Sequence, residues 1–342
     1  MRTRAASLNA AWLWTIGLLA LAVVAPFFLY PVFLMRALCM ALFACAFNLL
    51  IGYVGLLSFG HAAYLGTAGY ITAHTVKVWG FPPELGLVAG VAVAAALGAV
   101  FGWLAIRRQG IYFAMITLAF AQMIYFFALQ APFTGGENGI QGVPRGRLLG
   151  VLDLDDTLIM YYFVLAIFLI GFGIIVRTIN SPFGQVIKAI RENESRAVSL
   201  GYRADQYKLL AFVLSAALSG LAGGTKALVF QFAAITDVYW TTSGEVVLMT
   251  LVGGLGTILG PVVGAFLLVT METYLSQTGS WVTIIQGIIF VICVLTFRRG
   301  IVGVLAPYLT WRRQPADPLP AQSGAHERPV PEKIRHGVAG GQ

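Results

Sequence analysis

The sequence predicts an all-α fold: a polytopic transmembrane helical bundle of about ten spans, some short or broken, with both termini cytoplasmic. Three observations carry that prediction. Hydrophobic residues fill 58% of the 342 positions and charged residues only 11%, against roughly 25% in a soluble domain, so one soluble core has no room for this much apolar side chain. Apolar runs of about 20 residues recur along the chain, each long enough for a hydrocarbon layer of ~30 Å. The basic residues gather in a few connections and at the two ends, as a topology signal does. The net charge of +8 is therefore read as membrane orientation, and no nucleic-acid partner is expected.

The elements follow in order. Residues 1–11 form a cytoplasmic N-terminal segment in which Arg2 and Arg4 precede the first apolar run, Trp12–Leu34. That run reads as an uncleaved anchor, because it is long and no small-residue cleavage site stands near Pro26. Further spans are expected at Ala37–Leu57, Ala62–Trp79, Gly86–Ile106, Ile111–Ala131, Leu158–Val176, Leu209–Phe230 and Trp281–Phe297. The stretch Ser243–Leu275 exceeds one span and contains Gly253, Gly254, Gly256, Gly260 and Pro261. Glycine and proline at that density break a helix, so two short crossings are expected. The membrane domain thus covers 12–313, with a polar cytoplasmic segment at 178–208. The tail 314–342 holds five prolines and few large apolar residues, and is expected to be disordered. Cys39, Cys45 and Cys293 fall in apolar runs without metal-ligand spacing, and read as small hydrophobic residues.

Charge placement tests the count. Arg2 and Arg4, Arg107–Arg108, Arg177–Lys208, Arg298–Arg299 and Arg312–Arg313 belong on the cytoplasmic side, and the acidic Pro132–Thr157 connection suits the other. About ten crossings put every one of these where the rule wants it.

The segment Ser181–Lys208 is the most informative. Ser181-Pro182 is a helix start, with serine as N-cap and proline at the first helical position. Val186, Ile187, Ile190, Ala197, Val198 and Leu200 recur at helical spacing opposite Lys188, Arg191, Glu192 and Glu194. Gly201 suits a left-handed helix end. Two short amphipathic helices at the membrane surface are expected, serving either as an interfacial anchor or as a docking knob for a soluble partner. Two glycine-rich breaks, Gly52–Gly69 and Gly253–Gly264, either let helices pack closely or free backbone groups for a solute. His61, beside Ser58 and Phe59, reads as a structural, hydrogen-bonded histidine rather than a ligand. Glu245 and Glu272 are expected near the external ends of their spans. The other deep positions are nearly free of carboxylates, which disfavours an ion-coupled carrier.

Residues Ile190–Gly224, IRENESRAVSLGYRADQYKLLAFVLSAALSGLAGG, resemble the coupling-helix region of branched-chain amino acid ABC-importer permeases of the LivM type. The general permease signature there, Glu-Ala-Ala, three variable residues and Gly, is met only at Ala197 and Gly201. Three further segments are similar to the same family: Ile51–Tyr70, Ile116–Pro144 with its Thr-Gly-Gly loop, and Leu251–Phe266, a run shared with sugar permeases.

That resemblance implies a non-catalytic permease subunit in a bacterial plasma (inner) membrane, carrying branched-chain or other small amino acids. It implies three kinds of partner besides the lipid bilayer: a second homologous permease, two ABC ATPase subunits, and an extracytoplasmic binding protein. No G-x-x-x-x-G-K-[ST] occurs, so no cofactor is expected in this chain, and ATP-Mg falls to the ATPases. No metal site is expected either. By the resemblance, Arg191, Glu192, Asn193, Glu194, Ser195, Arg196, Ala197 and Gly201 couple to the ATPases. Gly52, Gly55, Ser58, Phe59, Gly60, His61, Gly253, Gly254, Gly256 and Thr257 are candidate pathway residues. Thr134, Gly135 and Gly136 shape either the face met by the binding protein or a tight turn. A urea or small-amide importer, and an autonomous ion-coupled carrier, are the rival readings.

Overall fold

The structure, a computed structural model, describes residues 17, 20–148, 150, 152–275, 284–285, 287–288, 291, 295 and 300–303. The expected segment 1–11, the tail 314–342 and most of Trp281–Phe297 lie outside these residues.

Pro31 opens the first long helix, α1 (Pro31–Val54), whose last six residues, Leu49–Val54, widen to π geometry. The expected boundary between the first two runs is thereby corrected: Leu34 lies inside α1, not at the end of a preceding span. Hydropathy runs unbroken through this region and hides the turn at Tyr30. Proline marks it, because the missing N–H costs nothing at a first helical position. An irregular stretch, Gly55–Gly60, leads to α2 (His61–Lys77), followed by α3 (Pro83–Ala105) and α4 (Ile111–Gln130).

Short strands make the connection after α4. β1 (Ile140–Gln141) pairs with a later strand, and β2 (Arg147–Leu148) pairs antiparallel with β3 (Leu152–Asp153). Asp156 accepts a hydrogen bond from the Leu158 amide at 2.9 Å and so caps α5 (Thr157–Asn180). Then come α6 (Pro182–Glu192), α7 (Glu194–Ser199) and α8 (Ala204–Phe230). β4 (Phe232–Ala233) returns to pair antiparallel with β1. Two short helices follow, α9 (Trp240–Gly253) and α10 (Gly260–Leu275).

Five of these helices, α1, α3, α4, α5 and α8, are long and apolar enough to cross a membrane. The expected break within Ser243–Leu275 is present and separates two short helices, α9 and α10. α1 is the central post, buried along 94% of its apolar window, with α5, α8, α9 and α10 around it. At about 1.5 Å per residue it is ~36 Å long. α2, α3 and α8 form the tightest group, and small residues bring them together. A Cβ on Gly223 of α8 meets the Leu65 carbonyl of α2, and a Cβ on Gly220 meets Ala94 of α3. This is the packing that substitutes for hydrophobic drive between helices in lipid.

Candidate functional site

The end of the molecule carrying Arg107–Arg108 and α6–α7 is called the inner side. Ser181 accepts from the Gly184 amide at 3.2 Å and donates to the Thr178 carbonyl at 2.7 Å, which sets the corner between α5 and α6. Asn193 breaks α6 from α7 by accepting from the Arg196 amide at 3.0 Å. Gly201 ends the segment at φ +90°, the left-handed region that glycine enters without strain. The expected pair of short amphipathic helices is therefore present.

Its faces differ from the expectation in part. Ile190 and Ala197 are buried and pack with Val186, Ala204 and Tyr207, and Ile187 is buried in the main core. Val198 and Leu200 instead point outward, 53% and 71% exposed, because the break at Asn193 rotates α7 away from the α6 stripe. Glu194 holds α7 down: it accepts from Lys208 of α8 at 2.5 Å and from Gln109 of the α3–α4 turn at 2.7 Å. Glu192, Ser195 and Arg196 are solvent-exposed on the same segment.

Arg191 makes a different contact. Its guanidinium donates to the Gly52 carbonyl in the π-turns of α1 and lies against Gly256, in the break between α9 and α10. Asn48 spans the same junction: its side-chain amide donates to the Thr257 carbonyl at 2.9 Å and its oxygen accepts from the Gly256 amide at 3.0 Å. Thr257 Oγ1 donates to the Gly254 carbonyl at 2.7 Å, and the Gly260 amide donates to it at 3.1 Å. Gly253 packs on the Gly260 carbonyl. Two glycine breaks some 200 residues apart thus meet at one inner junction, with a residue of α6 inserted into it. Asn48 was missed as a site residue, although it is the one amide side chain in the α1 run and polar groups at such depth need a partner.

A second cluster lies deeper. His61 Nε2 is 2.9 Å from Ser215 Oγ, which donates to the Ala46 carbonyl at 2.6 Å. Ala46 is two helical turns, ~12 Å, from the inner end of α1. α2 therefore starts well inside the molecule rather than at its inner end. The Ala62 amide donates to Ser243 Oγ at 2.9 Å, so α9 also starts near mid-depth. His61 is fully buried among Phe47, Tyr64 and Phe212, a packing position. Ser58 accepts from the Gly60 amide at 3.2 Å, and the Phe59 amide donates to Thr117 Oγ1 of α4 at 3.2 Å. Phe59 and Gly55 remain partly open.

Two ion pairs stand near the outer helix ends. Arg36 donates to Glu272 at 2.6 Å and Lys226 to Asp237 at 2.6 Å, both within two turns of the outer helix ends. Glu272 thus sits where expected. Glu245 of α9 lies within electrostatic range of the same outer group, Glu272, Lys226, Arg36 and Asp237. On the outer side, Thr134 is buried and donates to the Ala128 and Ala131 carbonyls at 2.5 and 2.6 Å, closing α4. Gly135 and Gly136 form the turn beyond it, and Gly139 packs on the Ala233 carbonyl.

Residues 31–294, beginning at the first residue of α1, match the family described as the branched-chain amino acid transport system / permease component. The chain belongs to this family. It is a polytopic helical membrane protein of the transport permease class. It is 27% identical over 290 residues to the high-affinity branched-chain amino acid transport system permease protein LivM of Escherichia coli (strain K12), covering 77% of this chain and 67% of that protein. It is 24% identical to a probable branched-chain amino acid transport permease protein LivH of Methanocaldococcus jannaschii, covering 72% and 83%. The ribose import permease protein RbsC of Bacillus subtilis (strain 168) is 28% identical over a shorter stretch, 49% of this chain and 52% of that protein. No solved structure matches.

Proposed function

We propose that this family member is the non-catalytic permease subunit of an ATP-binding-cassette importer for branched-chain or other small amino acids. It sits in a bacterial plasma membrane and pairs with a second homologous permease. Two ATPase subunits hold ATP-Mg and grip α6–α7, while an external binding protein meets the face built around Thr134–Gly136. The observation that carries the reading is the asymmetry of α6–α7. One side offers the exposed apolar tip Val198–Leu200 to the inner solution, and the other sends Arg191 to the junction of both glycine breaks. A partner that moves the tip moves the breaks.

In this reading Gly52, Gly253, Gly254, Gly256 and Thr257 form the inner hinge that α6 shifts, and Gly55–Phe59 line the pathway. His61 holds α2 to α8 and takes no part in binding.

Leu200→Asp tests the docking face. Nothing inside the bundle depends on that side chain, so the variant is expected to insert and to melt like the wild type. An exposed apolar anchor lost from an interface costs about 2 kcal/mol, so co-purification of the ATPase subunits should fall by more than tenfold. Undiminished co-purification contradicts the docking role of this tip.

A further inference from the structure

Glu245 of α9 is half-buried, and among the described residues it makes no ion pair and no hydrogen bond. The charges within its electrostatic range are Glu272 of α10, Lys226 of α8, Arg36 of α1, and Asp237 in the turn before α9. Those four are already matched, as the Arg36–Glu272 and Lys226–Asp237 pairs, each at 2.6 Å. The group thus sets three carboxylates against two cations, and Glu245 is the surplus one.

A second, independent observation lies beside it. Tyr70 of α2 is 2% exposed, and its hydroxyl has no hydrogen-bond partner among the described residues. Buried polar groups of this kind ordinarily have one. Asp237 is within electrostatic range of Tyr70 too, and Gly66, one turn back on α2, packs on the Val238 backbone. The paired side chains keep between 19% and 39% of their surface open, so the group borders a space rather than closing on itself.

Charge selects what suits that space. Lipid tails do not, because charged side chains against hydrocarbon are costly. A metal ion is poorly matched, since among the described residues no three His, Cys, Asp or Glu side chains converge as ligands. An organic ammonium group asks for less: one carboxylate meets its charge in a charge-assisted hydrogen bond. An amino acid adds a carboxylate, for which the Lys226 ammonium and the Tyr70 hydroxyl are donors.

We infer that Glu245 receives the ammonium group of the transported amino acid, with Lys226 and Tyr70 beside it to meet the carboxylate. The inference rests on the importer reading and deepens it. It places a cargo-binding group within this chain, next to the outer ion pairs.

The test is thermal unfolding of the purified complex with its ATPase subunits, titrated with isoamylamine, isocaproate or sodium chloride. Isoamylamine carries the ammonium group and side chain of leucine without the carboxylate, and isocaproate the reverse. Isoamylamine is expected to raise the melting temperature saturably, and the other two to do less at equal concentration. Glu245→Gln keeps the size and breaks no ion pair, so it is expected to fold. Its isoamylamine midpoint should rise by about tenfold or more, the scale of one lost charge-assisted hydrogen bond. Glu245→Asp keeps the charge and should recover part of the affinity.

Equal midpoints in Glu245→Gln and wild type overturn the site, as does the lack of any saturable amine effect in wild type. A sodium chloride effect as large as that of the amine marks an inorganic-cation site and overturns the assignment to cargo. ATP-driven leucine uptake is read on the same complex. Uptake without amine binding strikes the site and spares the importer reading. Amine binding without ATP-driven uptake strikes the importer reading, and the cargo assignment with it.

Discussion

Arg191→Ala is expected to cut amino-acid uptake per ATP hydrolysed by about tenfold or more, with the ATPase subunits still bound. The Arg191 guanidinium donates to the Gly52 carbonyl and lies beside Gly256, so it touches both breaks at once. A hydrogen bond from a charged donor contributes about 1.5–3 kcal/mol. Arg191 is solvent-exposed overall, and screening holds the figure near the lower bound, which still corresponds to roughly a tenfold change in an equilibrium. The outward tip, Val198–Leu200, is untouched by the substitution, so docking persists while transmission fails. Arg191→Lys keeps one donor but loses the planar fork, and should recover part of the coupling. The check is uptake and hydrolysis measured on the same proteoliposomes. An unchanged ratio in Arg191→Ala contradicts the linkage.

Gly223→Val is expected to leave no stable protein. A Cβ at Gly223 overlaps the Leu65 carbonyl and comes within 2.9 Å of the Leu65 Cα. That obstacle is backbone, which cannot rotate away, so α2 and α8 must separate where the bundle is tightest. Overpacking of this kind costs about 3 kcal/mol or more, a large share of a marginal stability. Gly173→Ala in α5 is the matched control. Nothing lies within 4 Å of a Cβ there, and the gain in helix propensity is up to about 1 kcal/mol. Thermal unfolding in detergent, followed by light scattering and tryptophan fluorescence, reads both. Equal melting of Gly223→Val and wild type contradicts the close α2–α8 packing.

Local devices were legible in the sequence. Ser181-Pro182 announced the start of α6, Gly201 the end of α7, and the glycines after Val252 the gap between α9 and α10, because caps and breaks act within a few residues. The α6–α7 surface was legible only in part. Periodicity put Val198 and Leu200 on the same stripe as Ile187 and Ile190, but the Asn193 cap interrupts the helix and rotates the second half outward. Long-range meetings were not legible at all. Arg36 and Glu272 are 236 positions apart, as Gly52 and Gly256 are far apart in the chain, and no local pattern reports such pairing. The turn at Tyr30 was hidden for another reason: hydropathy averages over a window wider than the turn.

The reading of His61 and the two glycine breaks shows the same division. The sequence marked the histidine as structural, and its bond to Ser215 agrees. It marked both breaks as candidates for a pathway without saying that one edge of each packs into a shared junction. Gly52 and Gly256 meet at that junction, while Gly55, Leu57 and Phe59 stay partly open.

The most direct test of the whole account is leucine uptake by the purified complex in proteoliposomes, with ATP inside the ATPase-bearing compartment and binding protein on the other face. The account predicts uptake that requires ATP, the ATPases and the binding protein together, and that persists when proton and sodium gradients are collapsed. Uptake by this chain without ATPase subunits, driven by either gradient, contradicts it and makes the protein an autonomous carrier.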